Sequence, residues 1–169
     1  MQLNKQMYVG ISKNVLMYLT KGKYNLLSEV LKEDSRYYRF FTINKTGKDI
    51  VMAINGRSTV DELESKFCKE MGISLRENEE WLDEFILMLM KKETIILSNE
   101  PIEQEKLKIT GDGKLISPMM ATIEVTEKCN LRCKHCYLDA SCEKANMMTY
   151  HQFENLVKIL KKNHVLNLE

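Results

Sequence analysis

The sequence predicts an α+β, winged-helix-like module followed by the first strand-helix-strand portion of a parallel α/β unit. Two observations carry that prediction. Residues 1–98 place β-branched and aromatic runs first and apolar residues at helical spacing afterwards. Residues 119–169 give an alternating apolar run, a cysteine-bearing loop, one strongly amphipathic stretch and the start of another apolar run. Residues 99–118 between them, with Pro101, alternating charges and Gly111-Asp112-Gly113, read as a linker that could fold back as a small hairpin between Leu107-Lys108-Ile109 and Lys114-Leu115-Ile116.

Within the front module, Tyr8 to Leu19, Lys23 to Val30 and Tyr37 to Ile43 are expected as strands, separated by turns at Lys21-Gly22 and Glu33-Asp34-Ser35. Thr46 followed by Asp49 is expected to start a short helix that Asn55-Gly56 ends, burying Ile50, Val51 and Ile54. Thr59-Val60-Asp61-Glu62 matches a capping box, and Val60, Leu63, Phe67 and Met71 recur on one helical face. A third helix is expected from about Glu77 to Lys92, with Leu82, Phe85, Ile86 and Leu89 inward, before a final strand at Thr94 to Leu97. In the rear part, Met119 to Val125 alternates like a strand. Thr149-Tyr150-His151-Gln152 is a second capping box ahead of Phe153, Leu156, Val157 and Leu160, and Val165 to Leu168 begins another strand. The sequence stops as that strand starts, so the chain reads as a fragment.

Composition narrows the class. A chain of 169 residues that is 44% hydrophobic and 29% charged is long enough for one ordinary domain or two small ones. No secretory signal is readable at Met1 to Gly10, and the longest apolar run, Phe85 to Met90, falls far short of the roughly 20 residues of a membrane helix, so a cytoplasmic protein is expected. Net charge is +1, and residues 1–110 hold 17 basic against 17 acidic side chains, which excludes a basic nucleic-acid module. A winged helix raises DNA binding as a class, but five acids in the eight residues Glu77 to Glu84 would repel phosphates.

Five cysteines, three of them between positions 129 and 136, argue for metal-binding thiols rather than a disulfide framework. The stretch Glu124-Val125-Thr126-Glu127-Lys128-Cys129-Asn130-Leu131-Arg132-Cys133-Lys134-His135-Cys136-Tyr137 sets three thiols at C-x3-C-x2-C spacing on one loop after a strand. Thiolates are soft ligands suited to iron-sulfur clusters or zinc, and a cluster held by only three of them leaves one iron open to a cofactor or substrate. The rival is a structural zinc site completed by Cys142, His135 or His151. A redox dithiol at Cys133 and Cys136 would leave Cys129 unexplained.

Cys129, Cys133, His135 and Cys136 fill the C-x3-C-x-aromatic-C signature, and over Met119 to Glu169 the sequence resembles the radical S-adenosylmethionine (SAM) superfamily. The resemblance implies a partial (β/α)6 barrel of which this chain holds the first βαβ portion. It implies that Cys129, Cys133 and Cys136 bind a 4Fe-4S cluster whose fourth iron is chelated by the amino and carboxylate groups of SAM, with His135, and Tyr137 beyond the last cysteine, on the cofactor side. It further implies one-electron reduction by a donor such as ferredoxin or flavodoxin, cleavage of SAM to methionine and a 5'-deoxyadenosyl radical, and hydrogen abstraction from the substrate. The family's Gly-Gly-Glu-Pro segment is absent, so this polypeptide alone is expected to be inactive.

The front module, particularly Phe40-Phe41-Thr42-Ile43-Asn44 and Asn55-Gly56-Arg57-Ser58-Thr59-Val60-Asp61-Glu62-Leu63, resembles the peptide-recognition domain of ribosomal peptide maturases. What that implies is a precursor (leader) peptide added as a strand near Tyr37 to Ile43 and packed against Glu77 to Leu89. Glu77, Glu79, Glu80, Asp83 and Glu84 would make that wall acidic and favour a leader with Lys or Arg. A non-catalytic leader-binding role is the alternative from the binding-protein class. Trp81, Tyr37 and Tyr38 read as core or groove packing, Cys68 as a buried small hydrophobe, Cys142 as either a site residue or an idle thiol, and His151 and His164 as surface residues.

Overall fold

The computed structural model describes residues 3–32, 35–114, 118–143 and 146–169, and the side chains among them outside 30–38. The chain divides into two compact units, Met1–Leu115 and Ile116–Glu169.

In the first unit, four strands precede three helices: β1 (Tyr8–Ile11), β2 (Val15–Thr20), β3 (Lys23–Lys32), β4 (Ser35–Ile43), α1 (Lys45–Ala53), α2 (Val60–Met71) and α3 (Leu75–Lys91). Two further strands follow, β5 (Ile95–Ser98) and β6 (Lys108–Thr110). β1 pairs antiparallel with β5, and a separate four-stranded sheet runs β4-β3-β2-β6. The expected strand Tyr8 to Leu19 is therefore two strands. Asn14 takes a left-handed backbone with φ 65°, and Ser12 N donates to Thr94 O at 2.9 Å, so the chain turns from one sheet to the other. The Lys21-Gly22 turn forms as expected, with φ 73° at Gly22. Glu33 and Asp34 of the next expected turn lie outside the described residues.

Capping explains the helix boundaries. Asn44 caps α1 by accepting from Gly47 N at 2.8 Å, so the cap stands two residues ahead of the expected Thr46. Thr59 and Glu62 form the expected capping box on α2, which ends at a left-handed Gly72. A single core collects Val9, Met17, Leu26, Ile50, Leu63 and Ile86 from strands and helices alike. The inward stripe of α2 ends at Phe67 and Cys68, whereas Met71 is 50% exposed because the helix has run past the core there.

Residues expected to form a linker instead lie along this unit. Ile102 N donates to Gly56 O at 2.7 Å, and the Gln104 side chain accepts from Ile11 N at 2.7 Å and donates to Ile54 O at 3.1 Å. The first arm of the expected hairpin is β6, paired parallel with β2 through Leu16–Lys108 and Tyr18–Thr110. Of the second arm, Lys114 donates its backbone N–H to Asp112 Oδ1 at 2.9 Å, and Leu115 and Ile116 lie outside the described residues.

The second unit is a small βαβ arrangement: β7 (Met120–Ala121), α4 (Tyr150–Lys162) and β8 (Asn167–Leu168), with the strands parallel. Pairing covers two residues of the expected Met119 to Val125 strand, since β8 is the strand that meets it among the described residues. Thr149 and Gln152 form the expected capping box. Leu156, Val157 and Leu160 are half-buried and Phe153 is exposed.

Candidate functional site

Two regions hold the residues singled out by sequence, one in each unit. In the second unit the cysteines occupy the loop between β7 and α4, and backbone bonds close that loop at its base. Met148 N donates to Val125 O at 2.8 Å, Glu127 N to Asn146 O at 3.1 Å, Ser141 N to Glu127 O at 3.2 Å and Cys129 N to Ser141 O at 3.3 Å. Asn146 Nδ2 also donates to Glu127 Oε2 at 2.8 Å. The loop is thus a defined excursion whose ends are stitched together, the usual way a scaffold presents reactive side chains.

All of the loop's thiols are free: Cys129 is half-buried, and Cys133, Cys136 and Cys142 are exposed. A turn links Cys136 N to Cys133 O at 3.2 Å. Two sulfurs accept backbone N–H groups, Cys129 Sγ from Leu131 at 3.4 Å and Cys136 Sγ from Ala140 at 3.4 Å. By donor chemistry, three free thiols on one loop fit an iron-sulfur centre. Among the described residues, no three His, Cys, Asp or Glu side chains stand together as a metal site. His135 and Tyr137 are exposed, Tyr137 at 97%, and neither contacts a cysteine through any hydrogen bond among the described residues.

In the first unit, β4 is an edge strand, bonded to β3 on one side. A hollow opens beside its end, lined by Thr42, Ile43, Gly47, Trp81, Phe85 and Met88. The side chains of Tyr37 and Tyr38 are outside the described residues, while Phe40 is 60% exposed on the same strand. Trp81 is fixed within α3 by a hydrogen bond to Asn78 Oδ1 at 2.8 Å and by an edge contact with Phe67, ring centres 6.3 Å apart. Gly47 was missed by sequence reading. A Cβ there would stand 2.9 Å from Phe85 Cζ, so the bare backbone makes room for the ring. A glycine inside a helical pattern was the available signal.

The five acids of α3 do not share one role. Lys5 Nζ lies 2.9 Å from Glu64 Oε2, 2.8 Å from Glu79 Oε1 and 2.8 Å from Asp83 Oδ1, so Glu79 and Asp83 face α2 and are neutralised there. Glu64 is 1% exposed. Burial pushes its carboxyl up, Lys5 opposes that, and nearby Asp83 adds to it, leaving the group at about 7. Burial lowers the Lys5 ammonium, but its three carboxylate partners outweigh that and hold it above its ordinary value. Glu77, Glu80 and Glu84 form no ion pair with a described residue.

No helix among the described residues is long and apolar enough to cross a membrane. No family model matches the chain, and no solved structure matches it. Over 132 residues the chain is 29% identical to AlbA, the antilisterial bacteriocin subtilosin biosynthesis protein of Bacillus subtilis (strain 168). That similarity covers 78% of this chain and 29% of the relative, so the chain spans under a third of the length of the curated protein it resembles.

Proposed function

We propose that this chain is the amino-terminal part of a radical SAM peptide maturase, with a winged-helix-like front module that takes a leader peptide and a rear unit that begins a partial (β/α)6 barrel. The observation that carries the reading is the set of three thiols, Cys129, Cys133 and Cys136, on the stitched loop that joins a strand to the helix of a parallel βαβ unit. Similarity to a bacteriocin biosynthesis protein supports a peptide substrate.

Cys129, Cys133 and Cys136 would hold a 4Fe-4S cluster with SAM on its open iron, and His135 and Tyr137 would flank the nucleoside. When bound, that pair supplies hydrogen abstraction from a carbon of the peptide after one-electron reduction by a ferredoxin- or flavodoxin-type donor. The chain's own residues do the rest. Backbone N–H groups of Leu131 and Ala140 hold two sulfurs ready for ligation. The free edge of β4 and the hollow formed by Trp81, Phe85 and Met88 offer an extended leader backbone partners and a side-chain pocket. Capture of the leader raises the local concentration of the attached core segment.

Anaerobic reconstitution with iron and sulfide tests this. The chain should take up about four irons and four sulfides, and Ala at Cys129, Cys133 and Cys136 together should abolish uptake. A colourless protein that holds one zinc, or iron and sulfide retained without those three cysteines, rejects the reading.

A further inference from the structure

We infer that the groove beside β4 reads the order of charge along the peptide it takes: a basic residue first, an apolar stretch, then an acidic residue roughly six positions later. This rests on the reading of β4 as the leader-binding edge and extends it to the chemistry of the ligand.

Direction comes from the contacts between β4 and α3. Thr42 and Ile43, at the end of β4, share the hollow with Trp81, Phe85 and Met88 of α3. Farther back along the strand, Lys92 Nζ sits 5.9 Å from the Phe41 ring, and Arg39 Nη1 lies 3.1 Å from Glu93 Oε1. The helix therefore runs antiparallel to the strand. A peptide lying in the groove and passing from the Ile43 end to the Arg39 end moves toward the end of α3.

Charge along that path changes sign. Glu77 and Glu84 share a helical row with Trp81 and Met88, at spacings of four, seven and eleven residues, and Glu80 stands beside them. All three acids are free of ion pairs with described residues, whereas Glu79 and Asp83, on the opposite side, are occupied by Lys5. At the far end stand Lys91 and Lys92. Lys91 lines a second apolar hollow with Leu87, Met88 and Met90, and Glu84 borders it one helical row earlier, where the acidic part of the path ends. From Glu77 to Lys91 the helix rises about 21 Å, the length of roughly six residues of extended chain. Antiparallel addition gives the more stable ladder and continues the β3–β4 meander. A peptide added that way enters at the Ile43 end, so its cationic residue precedes its anionic one.

Two synthetic peptides of equal composition, acetyl-KKITLTVDD-amide and acetyl-DDVTLTIKK-amide, titrated against the full chain with Trp81 emission as the signal, decide the matter. Trp81 is the chain's one tryptophan, so the signal has a single origin. The first peptide should bind about five-fold tighter or more at low salt, with the gap closing at high salt. Glu77→Lys, Glu84→Lys and Lys92→Glu in one variant should invert the preference, and circular dichroism verifies that this variant is folded. Equal affinities, or a preference for the second peptide, overturn the charge order and leave the groove standing. If neither peptide binds, the groove reading falls with it. Iron uptake by the second unit depends on neither result, so it reports separately on the cluster.

Discussion

Lys5 and Glu64 form a 2.9 Å ion pair across 59 residues of sequence, joining the chain's start to the inner face of α2. The pair makes stability depend on pH. Burial first, and Asp83 to a lesser degree, raise the Glu64 carboxyl from its ordinary 4.5 to about 7 despite Lys5. Between those values the folded chain retains a proton that the unfolded chain has released, so stability falls as pH climbs from 4.5 to 7 and levels off above. Glu64→Gln should remove that slope from urea midpoints taken at about pH 5 and about pH 8. Lys5→Met should destabilise by about 2–3 kcal/mol at the higher pH and by less at the lower, where Glu64 is already neutral.

Gly56→Ala should unseat the segment that carries Gln104. Gly56 has φ 75°, and an added Cβ would overlap the Ile102 carbonyl oxygen at the point where Ile102 N bonds Gly56 O. Left-handed strain and backbone overlap together should remove about 2–4 kcal/mol. Gly22→Ala is the control: φ is 73° there, but nothing lies within 4 Å, so about 1 kcal/mol is expected. Thermal unfolding of the two variants side by side checks the difference.

Gly47→Ala should separate folding from peptide capture. The new methyl group meets the outer end of the Phe85 ring, which can swing, and Ile43 Cβ at 3.3 Å, which must give by a few tenths of an ångström, while alanine favours the helix over glycine by about 1 kcal/mol. Stability should therefore stay within about 1 kcal/mol of the parent. The displaced ring enters the hollow shared with Trp81 and Met88, so peptide binding should weaken about ten-fold, one pair of apolar contacts being worth that much. A Trp81 emission titration checks it, and unchanged affinity would remove Phe85 from the binding surface.

Local signals survived translation into structure and distant ones did not. Thr59 with Glu62 and Thr149 with Gln152 announce their helices because a capping box is complete within four residues. The cysteine spacing is local in the same way, three thiols within eight residues, and it supports the proposed donor set. The cap at Asn44 was displaced to Thr46 because both residues can cap, and the choice depends on where β4 delivers the chain. The break at Asn14 was invisible because it exists to let β1 and β2 enter different sheets. Lys5 carries no pattern that points to Glu64, Glu79 and Asp83, so an acidic helix face looked uniform until the fold divided it. The docking of Ile102 and Gln104 onto Gly56 and Ile11 is equally nonlocal. Cys129, Cys133 and Cys136 do not stand together among the described residues, and bringing ligands together is work that metal binding itself can supply.

Thiol chemistry should rank the five cysteines and identify the role of Cys142. Cys68 is 2% exposed, and burial, with Glu64 second, pushes its thiol up. A maleimide added to the metal-free folded chain should therefore modify Cys133, Cys136 and Cys142 rapidly, half-buried Cys129 more slowly, and Cys68 only as the chain unfolds. After anaerobic reconstitution, ligation should protect Cys129, Cys133 and Cys136 together, because a thiolate bound to iron is withdrawn from alkylation. Cys142, one residue beyond the Ser141 carbonyl that accepts from Cys129 N, is the discriminating position. If it stays reactive, three thiols hold the centre and one coordination place is left for a cofactor. Protection of Cys142 along with the other three, read by mass spectrometry of the labelled peptides, would mean a closed four-thiol site and would end the case for catalysis at this loop.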